Sequence, residues 1–126
     1  MNIKTLIISS IVLLSLDYIY LKGNAKYFHK VFENIQNSKM NIRIGGAILC
    51  YIALLILLNY FLLDDKNKTI KDAFLLGFLV YAIYDTTNYT TFDKWPIKLM
   101  IMDCIWGGIL LAITFYLTNL IKKLIK

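Results

Sequence analysis

Apolar residues gather into four long runs, at about residues 5–21, 44–63, 73–91 and 96–121, and the charged residues collect in the short segments between them. Each run has roughly the 17–25 residues a helix needs to cross a hydrocarbon layer about 30 Å thick. The pattern predicts four transmembrane helices. Between the first two runs, Tyr27, Phe28, Val31, Phe32 and Ile35 recur at helical spacing opposite Lys26, Lys30 and Glu33. That spacing predicts a short amphipathic helix over about residues 24–37, lying in the membrane interface as an anchor or as a lid over its side. Asp93, Lys94 and Trp95 lead into Pro96, which suits the first turn of a helix because its missing N–H would have no partner there. The third and fourth spans are therefore expected to form a tight antiparallel hairpin. The expected fold is all-α, a polytopic membrane protein whose residues 1–126 make a single membrane domain.

Lys4 ahead of an apolar stretch, with Gly23-Asn24-Ala25 after it, also suits a secretory signal, but the run is long and Asp17 interrupts its end. A span is the better reading. Composition agrees, since 59% of the 126 residues are hydrophobic and the mean hydropathy is +0.62, too apolar for an ordinary soluble domain. Five of the eight acids lie outside the runs, as do thirteen of the fourteen Lys and Arg, Lys98 falling at the very start of the fourth run. These cations flank the runs and lack the clustered basic-aromatic face of a nucleic-acid binder, so the expected partner is the lipid bilayer and its anionic headgroups, not nucleic acid.

Lysine and arginine do not orient the protein. If both termini and the connection between the second and third runs lie on one side (side A), that side carries seven of them, and the other (side B) also carries seven. Cys50 and Cys104 fall inside runs without a C-x-x-C spacing and read as buried, inert thiols; no cofactor or metal site is indicated. His29, the only histidine, sits on the amphipathic segment and reads as an interfacial hydrogen-bonding residue.

The candidate chemistry lies in three acids inside the runs, Asp17, Asp85 and Asp103, which no Arg or His accompanies there and no Lys but Lys98, at the edge of the fourth run. One aspartate at the bilayer centre costs about 2.5–3.5 kcal/mol on insertion scales, so the three must face one another, other polar groups or water. Asp85 and Asp103 are equally far from Lys94 and so level across the hairpin, and Asp17 ends the first run on the same side B. Tyr81, Asp85 and Asn88 form one helical stripe, with Tyr84 and Thr91 beside it, and Asp103 shares a face with Trp106 and Gly107. Tyr, Asn and Trp supply the donors a buried carboxylate requires. The site candidates are thus Asp17, Asp85, Asn88, Asp103, Tyr81, Tyr84 and Trp106, with Arg43 and Lys98 as charge partners.

The stretch from residue 75 to 110 resembles a family of small bacterial predicted membrane proteins classed as a domain of unknown function. Members show Y-x-x-Y-D-x-T-N, then W-P, then D-x-x-W-G; here Tyr81, Tyr84, Asp85, Thr87, Asn88, Trp95, Pro96, Asp103, Trp106 and Gly107 fall on that pattern. The family's aspartate near the end of the first span matches Asp17 in "DYIYLKG", with Lys22 inserted before Gly23. The resemblance implies a four-helix integral membrane protein and transfers no activity. The leading expectation is a carboxylate-lined polar pocket in one membrane half that binds or translocates a small solute, ion or proton. Alternating access by so few helices would call for a homo-oligomer. The alternatives are an accessory subunit whose polar cluster only fixes helix packing, and a membrane enzyme acting on a lipid headgroup; catalytic histidines and paired acidic clusters are lacking, which disfavours the enzyme.

Overall fold

The computed structural model describes residues 1–126 and is all-α. Five helices follow in order: α1 (Ile3–Gly23), α2 (Ala25–Gln36), α3 (Ile44–Leu58), α4 (Ile70–Thr91) and α5 (Ile97–Leu124). α1 starts at Asn2, whose side chain accepts the Thr5 N–H at 3.2 Å. α2 closes at Asn37, in the left-handed conformation that asparagine tolerates (φ 56°). α3 runs on into a π-helical turn, Asn59–Leu63, where the Asp64 N–H reaches back to the Asn59 carbonyl at 2.8 Å. At the start of α4, Thr69 and Asp72 form a reciprocal capping box. α5 begins directly after Pro96, as its fixed φ favours.

Three segments are long and apolar enough to cross a membrane: α1, α3 with its π turn, and α5. Length and apolarity alone therefore qualify three of the four expected spans. α4 has 22 residues, but its tyrosines, threonines, Asn88 and Asp85 dilute its apolarity. α2 occupies the segment expected to form the amphipathic helix.

Only 25 of the 126 residues are buried within the chain, and the outward faces carry large aliphatics such as Ile7, Ile11, Ile48 and Ile52. For a chain this apolar, those faces meet lipid rather than water. Exposed hydroxyls agree: Ser15, Thr86, Thr87 and Thr90 each donate to the carbonyl four residues back, at 2.6–2.8 Å. A hydroxyl facing hydrocarbon finds its partner within its own helix.

α4 and α5 form the expected hairpin at close range. A Cβ on Gly77 would overlap the Gly107 carbonyl, and one on Gly107 would fall 2.7 Å from the Gly77 oxygen. Only glycine allows this approach. The main core lies among α1, α3 and α5, around Leu13, Leu58, Leu110 and Leu111. A second, smaller core packs Phe28 and Val31 of α2 on Trp95 and Leu99. The amino terminus lies 3.7 Å from Asp64, which puts it beside the α3–α4 turn at side A.

Candidate functional site

The three aspartates are held by aromatic donors that reach across from other elements. Asp17, 6% exposed, accepts the Tyr51 hydroxyl of α3 at 2.5 Å and the Trp106 indole N–H of α5 at 2.9 Å. The Trp106 indole stacks flat on Tyr20, with centroids 4.5 Å apart and planes 5° from parallel. Tyr20 in turn donates its hydroxyl to Asp103 at 2.7 Å. The Asp103 and Asp85 carboxyl groups come within hydrogen-bonding reach of each other. Asp85, fully buried, accepts the Trp95 indole N–H on Oδ1 at 3.3 Å. Two hydrogen-bonded groups, joined by the Trp106–Tyr20 stack, thus run from α3 through α1 and α5 to α4 and the turn beneath α2.

The local sequence explains each placement. Asp17 and Tyr20 are one turn apart on α1, and Asp103 and Trp106 one turn apart on α5, so two antiparallel helices exchange two bonds in one register. Gly107 has no side chain, and the Tyr81 ring covers its face. Trp95 reaches Asp85 because the turn before Pro96 folds back under α4, where Tyr84 meets the Trp95 ring edge-on at 6.1 Å. Phe32 of α2 also meets that ring edge-on at 5.7 Å, and Lys94 Nζ donates to the Asn34 carbonyl at 3.2 Å. α2 covers the side-B end of the network.

The network is less symmetric than three converging acids would be. Asp85 and Asp103 form a pair, while Asp17 is joined to them only through Trp106 and Tyr20. No three His, Cys, Asp or Glu side chains come together as a metal-holding group. Asp85 keeps one buried oxygen, Oδ2, without a hydrogen-bond donor, and Asp103 is partly exposed. Two carboxyl groups at such range are compatible with a shared proton or a cation between them, and two bare carboxylates would repel.

The remaining sequence candidates divide. Tyr81 packs on the site and Asn88 turns toward the Tyr84 hydroxyl, but neither bonds an aspartate. Arg43 and Lys98 make no ion pair with any carboxylate; the single ion pair is that of the amino terminus. Lys98 Nζ instead lies over the Tyr27 ring, 4.9 Å from its centroid. Burial, with a smaller contribution from the Asp103 charge, raises the Tyr27 phenol above its ordinary pKa. His29 is exposed on α2, Cys104 is buried and Cys50 exposed, and both are free thiols.

Three donors were missing from the sequence candidates: Tyr20, Tyr51 and Trp95. Tyr51 had a legible signal, since a lone phenol inside "ILCYIALL" needs an acceptor at that depth. Its partner did not.

Apolar spanning helices around a buried polar network define a multi-pass integral membrane protein. The chain belongs to the family described as predicted membrane protein (DUF2177), which matches residues 2–120. No curated protein and no solved structure matches it.

Proposed function

We propose that the protein crosses the membrane four times and uses the Asp85–Asp103 pair to bind a proton or a small hard cation, within a polar network that opens toward side B and serves binding or translocation. The observation that carries the reading is the buried Asp85 Oδ2, which has no donor of its own, on a carboxyl group that lies beside that of Asp103. A proton between the two carboxyls would supply that donor, and a cation would neutralise both.

Several features support α4 as the fourth span. Leu75, Leu79 and Ile83 form one exposed apolar stripe along it, Asp85 points inward, and its exposed threonines are bonded to their own helix. α2, with Phe28 and Val31 turned inward, then lies in the interface as a cover on side B. Translocation by four helices requires a second copy of the chain to rock against, so a homo-oligomer is the transporting unit.

The test is the pair of variants Asp85→Asn and Asp103→Asn in proteoliposomes and micelles. Wild type is expected to show proton or cation flux, with thermal stability that depends on pH or on added cation. Each variant should fold and lose that dependence. A second reading is favoured by the four bonds that aromatic donors make to the aspartates from other elements: the network fixes helix packing. Lower stability in both variants, with flux and cation dependence absent from wild type as well, would establish that reading instead.

A further inference from the structure

The bonds Trp106–Asp17 and Tyr20–Asp103 set the antiparallel register of α1 against α5. Carried toward side A by whole turns, that register pairs Leu13 with Leu110, then Ser9 with Thr114, then Thr5 with Thr118. All six are at most 1% exposed. The seam between the two helices is therefore polar at side B, leucine in the middle and hydroxyl-lined toward side A.

Asn59, the first residue of the π turn and fully buried, joins the hydroxyl layer by donating to Ser9 Oγ at 3.0 Å. Four polar atoms of this layer have no partner: the Oγ1 atoms of Thr5, Thr114 and Thr118, and Asn59 Oδ1. Within the layer Ser9 bonds back to the Leu6 carbonyl at 3.1 Å, as the exposed hydroxyls of the chain do to their own helices; the three threonine hydroxyls do not. Unpaired buried polar groups are unfavourable, and a set that mixes acceptor-only with donor–acceptor groups suits water, which both gives and accepts.

The layer ends beside a cleft on side A. Thr5 also lines this cleft, of about 670 Å³, between the start of α1, the α3–α4 turn and the end of α5. Lys4, Lys66, Lys68, Lys122, Lys123 and Lys126 ring it, against two acids, Asp64 and Asp65. The excess of lysine over aspartate disfavours a metal cation below it and favours water as the occupant.

We propose that the hydroxyl layer is a hydrated half-channel fed from the side-A cleft, and that Leu13 and Leu110 form the gate separating it from the aspartate network. Water reaches the leucines from side A, and protons held at the aspartates communicate with side B. The side-B half of this path rests on the proton-binding role proposed above. The hydrated half-channel does not.

Water-to-methyl magnetisation transfer in solid-state NMR of wild-type proteoliposomes tests the half-channel directly. Thr5, Thr114 and Thr118 methyls should receive water magnetisation several-fold faster than the methyls of Leu13 and Leu110; equally slow transfer would overturn the half-channel. A second arm measures proton leak with an internal pH dye. Leu13→Ser should raise the leak several-fold, and adding Thr118→Val should reduce it. No rise in leak from a folded Leu13→Ser protein overturns the gate. A leak that survives Asp85→Asn with Asp103→Asn keeps the half-channel and the gate, and removes the aspartates from the path.

Discussion

Tyr51 donates its hydroxyl to Asp17 at 2.5 Å, a bond that ties α3 to α1 in the half of the bundle nearer side B. The carboxylate is almost fully buried, and its other oxygen takes the Trp106 N–H. Tyr51→Phe keeps the ring and removes one donor, so it should destabilise the fold by roughly 1–3 kcal/mol. A double-mutant cycle with Asp17→Asn should show coupling of about 0.5–3 kcal/mol in micelle unfolding experiments. Additive effects would mean the bond contributes nothing beyond its parts.

The glycines of the α4–α5 hairpin give a sharper contrast. Gly77→Ala and Gly107→Ala each push a methyl into the facing backbone, or into the Tyr81 ring, with no slack to absorb it. Each should cost about 1–3 kcal/mol or more. Gly45→Ala and Gly46→Ala meet nothing within 4 Å and should stabilise α3 by roughly 0.5–1 kcal/mol through helix propensity. Thermal unfolding of the four variants side by side checks the order; equal effects would mean the hairpin is looser than its backbone contact implies.

What the sequence made legible follows the fixed geometry of the helix. Asp85 and Asp103 are level because equal residue counts from Lys94 give equal rise, and the structure brings their carboxyl groups together. Asp17 could be placed at the right depth but not at the right neighbours, since depth depends on residue count and rotation about the axis depends on packing. An almost uniformly aliphatic α3 gives little rotational signal, so the direction of Tyr51 was hidden. Arg43 and Lys98 looked like partners for the acids because they are charged and close in sequence to side B. The acids are instead satisfied by neutral aromatic donors inside the bundle, while Lys98 lies on the Tyr27 ring near the interface, where its ammonium stays hydrated. The hydroxyl layer was illegible for the same rotational reason: Thr5, Ser9, Thr114 and Thr118 become one feature only once α1 and α5 are in register.

The pH response of the α3–α4 turn follows from the capping box. Hydrogen bonds from the Thr69 backbone N–H at 2.8 Å and hydroxyl at 3.0 Å hold the Asp72 carboxyl below its ordinary pKa, with smaller help from Lys68 and Lys71. Because the folded-state value is the lower one, the cap's contribution is present above the ordinary carboxylate range and disappears as pH falls through the folded value. Amide protection factors in the first turn of α4, corrected for intrinsic exchange, should fall as pH is lowered through the acidic range, while those around Gly77 hold. Asp72→Asn should make the first turn's protection independent of pH over that range. A pH response unchanged in that variant would assign it to other groups.

α2 shields Trp95 in a way that can be tested apart from any transport. Phe28 and Val31 are its two buried residues and pack in one cluster with Trp95 and Leu99, while the Trp95 ring also touches Tyr84 and holds Asp85. Phe28→Ala should weaken the docking of α2 by about 3–5 kcal/mol, enough to let the helix open locally without unfolding the spans. The Trp95 indole N–H should then exchange with solvent faster, whereas the Trp106 indole N–H, bonded to Asp17 at 2.9 Å on the α1–α5 seam, should be unaffected. The two indole resonances report both sites in one NMR spectrum. If α2 amides lose protection and Trp95 exchange does not change, α4 and α5 alone seal the aspartate pair and α2 is an anchor rather than a lid.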